Sequence, residues 1–246
     1  MSIRKKNLSI EQMNEEVREF LYIITHDLKN TVRGIKQASD WLLADYKEKL
    51  GKEGEQLLDI LESKSSLLSD MLDDINNYSK VNFKKDSIVK INFNEIVDIV
   101  VNSLNQSNKK NEKSIKLLLK KEFDENLLVE CDEVKFSQIL FNVFSNLLLF
   151  SGEDKTEVNC LVSYSKTADE KYFIFTFTCK EIKFDVTRIA KLFAPFQEIT
   201  INSKKINTKM TLTLAQKISE SFGGELNVQA GQGLSFVLEY PIKITT

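Results

Sequence analysis

The sequence predicts an α+β protein in which an N-terminal helical hairpin forms a dimeric four-helix bundle and a two-layer α/β sandwich follows. Two observations lead to this fold class. Over roughly the first 80 residues, apolar side chains recur at the alternating three- and four-residue spacing of a helix packed in a bundle. From residue 89 onward, short alternating segments typical of strands are interleaved with helical ones. We therefore predict two domains, residues 1–88 and residues 89–246.

Two apolar seams predict the hairpin. The first comprises Met13, Val17, Phe20, Ile24, Leu28, Ile35, Ala38 and Leu42, and the second Leu57, Leu61, Leu68, Met71, Ile75 and Tyr78. Residues 47–54 separate them and contain Gly51 and Gly54, so the chain is expected to reverse there. One hairpin cannot cover both seams by itself, and a symmetric dimer of four helices is the economical way to bury them.

The remaining segments predict the sandwich. Helices are expected at residues 94–107, 132–150 and 211–222, and strands at 114–119, 127–131, 157–165, 171–179, 226–229 and 234–240. Gly223 and Gly224 close the last helix, where a glycine is expected. Phenylalanines are expected to fill the space between the helices and the sheet, namely Phe136, Phe141, Phe144, Phe150, Phe173, Phe175 and Phe177.

Composition narrows the possible functions. A net charge of −2 gives no support for binding nucleic acid or a membrane surface. The three cysteines, Cys131, Cys160 and Cys179, lack the spacing of a metal site, so they are expected to be buried thiols in a reducing compartment. No apolar run approaches about 18 residues. We therefore expect a cytoplasmic protein with no metal site of its own.

One residue stands out chemically. His26 is the only histidine, Asp27 follows it, and Asn30 lies one helical turn further on. Histidine can carry a covalent phosphoryl group, and a neighbouring carboxylate can hold or deprotonate its ring. Because His26 lies two residues past the seam residue Ile24, about 200° around the helix, it faces away from the bundle core. This position leaves two interpretations, an ordinary surface residue or an accessible nucleophile.

The run His26-Asp27-Leu28-Lys29-Asn30 resembles the H-[ED]-x-x-[NT] phosphoacceptor box of sensor histidine kinases. Thr31 stands where that family usually has proline, which puts the expected helix kink in doubt. The resemblance extends from about Ile10 to Ile244. It implies a HisKA-like dimerisation and phosphotransfer hairpin followed by an ATPase domain of the GHKL type.

The second domain resembles that ATPase in several boxes. Residues 132–140 are similar to the start of the N-box helix, and Asn142 and Asn146 fall on its two asparagines. In an active kinase the second of these would bind magnesium. Residues 192–197 are similar to the F-box, and residues 223–225 and 231–236 to the family's last two glycine turns. The basic residue usual three positions after the second asparagine is Leu149.

Both glycine-rich ATP boxes are missing. The D-x-G-x-G box should occupy residues 179–183, where Cys179 replaces the aspartate that contacts adenine and Glu181 and Lys183 replace the glycines. The G-x-G-x-G box should occupy residues 207–211, which contain Lys209 and no glycine. Phosphate-cradling loops need glycine for positive φ and close approach. We therefore expect no ATP binding, and Asn142, Asn146, Cys179 and Lys209 become a relic nucleotide site.

The resemblance then implies a histidine phosphotransfer protein that exchanges a phosphoryl group between His26 and the aspartates of response-regulator receiver domains. Asp27 would orient or deprotonate the ring, and Asn30 would position water. The receiver would supply Mg²⁺, so no tightly bound cofactor is expected. The partners would be receivers and a second copy of the chain, or a kinase in a heterodimer. Two alternatives stay open, a non-catalytic pseudokinase scaffold and an active kinase with a divergent ATP site.

Overall fold

The computed structural model describes residues 10–81, 87–109, 115–152, 156–201, 204–207 and 210–243. These residues form two compact units, Met1–Asn82 and Phe83–Thr246. The first unit is helical, and the second contains a five-stranded sheet with helices packed on it. The predicted fold class is confirmed.

The first unit is a helical hairpin that reverses at one residue. Helix α1, Ile10–Lys80, is interrupted at Gly51, whose φ of 64° and ψ of 177° lie in a region that essentially only glycine adopts. We call residues 10–50 the N-terminal arm and residues 52–80 the C-terminal arm. Ion pairs between Lys29 and Asp73 and between Lys36 and Glu62 join the two arms. The predicted break over residues 47–54 is therefore reduced to a single residue.

The surface on which the arms meet is not the predicted seam. Its buried residues recur at intervals of seven: Thr25, Val32 and Ser39 in one arm, and Leu58, Ser65, Leu72 and Ser79 in the other. Most of them carry a hydroxyl group. The seam residues Val17, Phe20, Ile24, Leu28, Ile35, Leu42, Leu57, Leu61 and Leu68 are 37–67% exposed in the single chain. The apolar seams therefore lie outside the interior of the hairpin.

The second unit contains nine strands and four helices among the described residues. The strands are β1 Ile88–Asn92, β2 Lys116–Glu122, β3 Leu128–Asp132, β4 Glu157–Lys166, β5 Tyr172–Cys179, β6 Glu198–Ile201, β7 Lys204–Asn207, β8 Glu225–Gly231 and β9 Gly233–Pro241. The helices are α2 Phe93–Lys109, α3 Glu133–Ser151, the single turn α4 Ile189–Leu192 and α5 Thr211–Ser221, and a 3₁₀ turn covers Val186–Arg188. The hairpin of β6 and β7 was not predicted.

The main sheet has the order β2-β4-β5-β9-β8. Strands β2 and β4 are parallel, and the other neighbours are antiparallel. Strands β1 and β3 form a separate antiparallel pair, in which Ile88 pairs with Asp132. Ile88, assigned to the hairpin domain from the sequence, is therefore the first residue of a strand in the second unit. Helix α3 contacts both α2 and α5, which completes the helical layer of the sandwich.

Aromatic rings fill the core between the two layers. Phe93 stacks on Phe175 with 4.4 Å between ring centroids, and Phe136 meets Tyr240 edge to face at 5.0 Å. Six of the seven phenylalanines predicted to be core are buried, but Phe141 is 40% exposed. The prediction for Phe141 was wrong because this residue lies on the outer face of α3, in line with the exposed Val134 and Leu149.

Helix α3 is capped by its own sequence. The Asp132 carboxylate accepts a hydrogen bond from the Lys135 backbone N–H at 3.0 Å and another from the Ser87 N–H at 2.9 Å. Contrary to the sequence-based expectation, α3 is long and apolar enough to cross a membrane. No second helix in the described parts of the chain meets this criterion, and most of α3 is buried within the sandwich.

Replacing Gly51 should weaken the hairpin. Gly51→Ala forces a side chain into its left-handed conformation, so we expect a loss of about 1–3 kcal/mol in unfolding free energy. Gly34→Ala is the control, because Gly34 is helical with open space around it and alanine there should add about 0.5–1 kcal/mol. The emission of Trp41, the only tryptophan, reports urea unfolding of this unit. Equal stabilities of the two variants would contradict the role of Gly51.

Candidate functional site

His26 lies on the outer surface of the N-terminal arm. Its side chain is 61% exposed, and its Nδ1 atom lies 3.2 Å from Asp27 Oδ1 and 3.5 Å from Asn30 Nδ2. The ring of Tyr22, one turn earlier, lies nearly parallel to the imidazole with 6.4 Å between centroids. The structure thus brings together the three residues predicted from the sequence. Tyr22 was missed, although its i, i+4 spacing to His26 could have identified it.

The two contacts to Nδ1 require different tautomers of His26. Asp27 can only accept, so its contact requires a proton on Nδ1 and leaves the lone pair on Nε2. Asn30 can donate through Nδ2 only if Nδ1 carries the lone pair instead. The contact to Asp27 is shorter and involves a carboxylate, which makes it the stronger hydrogen bond. This arrangement favours the tautomer whose nucleophilic nitrogen, Nε2, points away from Asp27.

Thr31 keeps the helix regular beneath this site. Its hydroxyl donates to the Asp27 carbonyl oxygen at 3.1 Å. Within α1 only Gly51 departs from helical backbone angles. A proline at this position would remove the backbone donor and kink the helix. The replacement of proline by Thr31 therefore leaves the arm without a kink below His26.

In the second unit, Asn142 and Asn146 are buried, with exposures of 5% and 2%. The Asn146 Nδ2 group donates to the Asn142 carbonyl oxygen at 2.7 Å and to Thr211 Oγ1 at 2.9 Å. Thr211 is the last residue of the segment where the G-x-G-x-G box should lie. Asn146 Oδ1 and Asn142 Nδ2 are buried and have no hydrogen-bond partner among the described residues. The Asn146 Nδ2 group therefore makes both of its hydrogen bonds within the protein, and its Oδ1 atom makes none within the part of the chain that the structure describes.

Cys179 lies at the end of β5 and is fully buried, as is Ile182 in the following turn. A hydrogen bond with the Cys179 thiol, together with burial, raises the pKa of Cys160 well above its ordinary value. Burial raises the pKa of Cys131 to about 12. All three cysteines are free and buried, which confirms that part of the prediction. Lys209, the fourth residue of the predicted relic site, lies outside the described residues.

Three glycines of this unit, Gly223, Gly224 and Gly233, are required by the backbone. Gly223 has a φ of 76°, and Gly223 and Gly224 close α5 by donating to the Glu220 and Ser219 carbonyl oxygens. A Cβ atom on Gly224 would lie 2.4 Å from the Glu239 carbonyl oxygen. Gly233 has a φ of 121°, and a Cβ there would lie 2.5 Å from Lys180 Cα. A side chain at any of these three positions would be strained or would clash with the backbone.

Two protein-family models match the chain. Residues 16–83 match the His Kinase A (phospho-acceptor) domain, and residues 131–244 match the histidine kinase-, DNA gyrase B- and HSP90-like ATPase. The chain has both domains of a sensor histidine kinase core. As a histidine kinase homologue, it is 23% identical over 236 residues to the phytochrome-like protein Cph1 of Synechocystis and 25% identical over 231 residues to the autoinducer 2 sensor kinase/phosphatase LuxQ of Vibrio parahaemolyticus. These alignments include 95% and 92% of the chain but only 30% and 26% of the relatives.

Solved histidine kinases share the fold. Full-length ShkA in complex with AMPPNP superposes with a TM-score of 0.62 at 17% identity, covering 93% of this chain and 46% of ShkA. The Acinetobacter baumannii histidine kinase AdeS gives a TM-score of 0.59 at 17% identity, covering 89% of this chain and 98% of AdeS. At 17% identity, both similarities show a shared fold only.

Replacing Gly233 tests whether the backbone requires glycine at this position. Gly233→Ala should destabilise the second unit by about 2 kcal/mol or more, because the new methyl group meets the backbone of Cys179 and Lys180. Gly231→Ala, in the same turn but with open space around it, should change stability by less than about 0.5 kcal/mol. All three cysteines lie in this unit, so their alkylation during denaturation reports its unfolding. A neutral Gly233→Ala variant would contradict the expected backbone clash.

Proposed function

We propose that this chain is a histidine phosphotransfer protein that exchanges a phosphoryl group between His26 and the aspartates of receiver domains without binding ATP. One contrast supports the proposal. Gly223, Gly224 and Gly233, at which a side chain would be strained or would meet backbone atoms, are kept. The glycine positions of the two nucleotide boxes are instead occupied by other residues, namely Glu181, Lys183, Asn207, Lys209 and Thr211. The phosphoacceptor box, by comparison, is complete and exposed.

The second unit fits ATP poorly at two places where nucleotide contacts would form. The buried Cys179 thiol cannot replace a carboxylate as acceptor for the adenine amino group. Glu181 places a side chain where the phosphate loop requires glycine, and that side chain accepts a hydrogen bond from Asn159. The proposed transfer involves no nucleotide bound to this chain.

The site around His26 suits attack on an acyl phosphate. In this proposal Asp27 accepts the Nδ1 proton and raises electron density on Nε2. The Nε2 lone pair forms a bond to phosphorus as the bond from phosphorus to the receiver's aspartate oxygen breaks, and that aspartate leaves as a carboxylate. Mg²⁺ held by the receiver would neutralise charge on the phosphoryl oxygens. The reverse transfer would follow the same path, and Asn30 would orient water when the phosphoryl group is hydrolysed.

One surface and one structural comparison support the proposed partners. The exposed apolar seams of the hairpin are the face that a second copy, or a related kinase chain, would cover. Receiver domains are proposed as the phosphoryl partners because a similar structure, the histidine kinase ThkA in complex with the response regulator protein TrrA, matches with a TM-score of 0.58. That match has 17% identity and covers 97% of this chain and 68% of ThkA.

Transfer from a phosphorylated receiver tests the proposal. Incubation with receivers labelled on aspartate should move label onto the wild-type chain and not onto His26→Gln, because the glutamine amide is not a nucleophile. Labelled ATP with Mg²⁺ alone should leave the chain unlabelled. Stoichiometric labelling by ATP would show an active kinase with a divergent site. Absence of transfer from every receiver of the same cell would favour a non-catalytic scaffold.

Replacing Asp27 tests its role at the ring. Asp27→Asn should lower the transfer rate by about 10²–10⁴-fold, because the amide presents a donor as well as an acceptor to Nδ1 and no longer fixes the reactive tautomer. Asp45→Asn, an exposed carboxylate elsewhere on the same arm, is the matched control and should transfer at the wild-type rate. Rapid-quench measurement of single-turnover transfer checks both variants. An unchanged rate in Asp27→Asn would remove Asp27 from the mechanism.

A further inference from the structure

Tyr22 and Asn30 flank His26 on the same face of the N-terminal arm. Each is four residues from His26, so they lie about 6 Å from it in opposite directions along the axis and about 40° around the helix. Asn30 contacts the imidazole at Nδ1, as does Asp27. Tyr22 contacts it ring to ring, with 6.4 Å between centroids and 29° between the two planes. The tyrosine therefore offers its face to the imidazole, whereas Asp27 and Asn30 meet the edge.

Thr25 fixes the backbone that carries Tyr22. It is 3% exposed, and its hydroxyl donates to the Leu21 carbonyl oxygen at 2.7 Å and lies 3.1 Å from the Tyr22 carbonyl oxygen. Because Thr25 faces the interior of the hairpin, the direction of its neighbours around the helix is set. Tyr22 and His26 lie about 60° and 100° from it in the same direction, which brings both side chains out onto one face.

The proposed transfer changes the charge of the His26 ring. Nδ1 keeps its proton in the hydrogen bond to Asp27 while the Nε2 lone pair forms its bond to phosphorus. The bond from phosphorus to the receiver's aspartate oxygen breaks at the same time, and the aspartate leaves as a carboxylate. Both ring nitrogens then carry a substituent, so the imidazole ring has gained a positive charge. Groups that stabilise a cation at this ring favour the phosphorylated state.

Two neighbours of His26 can stabilise that charge. The Asp27 carboxylate does so from the ring edge, at 3.2 Å from Nδ1. Tyr22 does so from the ring face, because the face of an aromatic ring carries negative charge density and attracts cations. A stacked pair also restricts rotation of the imidazole, since turning either ring breaks the contact. An aliphatic side chain at position 22 would supply neither effect to the same degree.

The geometry limits the size of this effect. Aromatic pairs interact over centroid distances of about 4.5–7 Å, and the Tyr22–His26 pair lies in the outer part of this range. Both side chains are also well exposed, at 51% for Tyr22 and 61% for His26. A cation over an exposed aromatic ring is stabilised enough to change an equilibrium constant about two- to fivefold.

We propose that Tyr22 is a positioning residue for the phosphoacceptor, which holds the His26 imidazole and stabilises the positive charge that the ring gains when Nε2 is phosphorylated. This inference rests on the proposed function, because it requires transfer to His26. It adds a residue that acts through the imidazole and not on the phosphoryl group. The aromatic face carries this role, and the hydroxyl group is not needed for it.

Transfer kinetics with the full chain test the role of the ring. Tyr22→Leu should lower kcat for transfer from a phosphorylated receiver about two- to fivefold, with KM changed less than about twofold. It should lower the equilibrium ratio of phosphorylated His26 to phosphorylated receiver by a similar factor. Tyr22→Phe keeps the aromatic face and should retain wild-type values of both. Tyr46→Leu, which removes an exposed tyrosine elsewhere on the same arm, is the matched control and should behave as wild type.

The nuclear magnetic resonance spectrum gives a direct measurement of the contact. His26 is the only histidine, so the imidazole protons give a single set of signals. Loss of the neighbouring ring in Tyr22→Leu should shift these signals, whereas Tyr22→Phe should leave them close to wild type. The urea midpoint followed by Trp41 emission should be unchanged in both variants, because Tyr22 is exposed.

The outcomes separate this inference from the proposed function. Wild-type kinetics or unshifted imidazole signals in Tyr22→Leu would overturn the inference and leave the function intact. Equal losses of transfer in Tyr22→Leu and Tyr22→Phe would overturn it too, since the hydroxyl and not the face would then matter. A lowered urea midpoint in Tyr22→Leu alone would assign Tyr22 a role in stability instead. Absence of His26-dependent transfer in the wild-type chain would overturn the function, and the inference with it.

Discussion

The reversal of the chain at Gly51 decides which residues of the two arms face each other. Lys29 and Asp73, which form an ion pair, each lie 22 residues from Gly51. Because the turn takes one residue, residues at equal distances from Gly51 along the chain come to similar heights in the two arms. A glycine backbone permits this geometry, since its φ of 64° with extended ψ is closed to other residues. The register of the hairpin, and with it the pairing of Lys29 with Asp73, follows from this constraint.

The register in turn determines where two surfaces of the hairpin lie, the hydroxyl-lined interface between the arms and the exposed apolar seams. Hydroxyl-bearing residues such as Ser39 and Ser65 meet inside the hairpin, while larger apolar residues such as Phe20 and Leu57 remain outside it. Burial of apolar area is the main favourable term in packing, and small polar residues supply little of it. His26 is on neither surface, so its ring stays accessible whichever chain covers the apolar face.

Much of the architecture was predictable because helix and strand periodicities are local properties. The ends of α3, β4 and β5 fall within a residue or two of their predicted positions. The contacts that were missed depend on residues far apart in the sequence. Asn146 and Thr211 are 65 residues apart, and Gly233 meets the backbone of Lys180 only after the sheet has formed. Phe141 was misplaced for a related reason, since hydrophobicity alone does not reveal which face of a helix is outermost.

The hydroxyl-lined interior of the hairpin has a consequence for how the protein responds to its own abundance. A helical hairpin whose interior buries few large apolar side chains gains little stability from folding alone. In the proposed dimer, covering the apolar seams would supply much of the stabilisation of this unit, so its folded fraction would rise with protein concentration by mass action. The sandwich, with its own aromatic core, does not share this dependence. If a second chain covers the seams, expression level would act as a threshold, below which the helical hairpin is less stable than the sandwich.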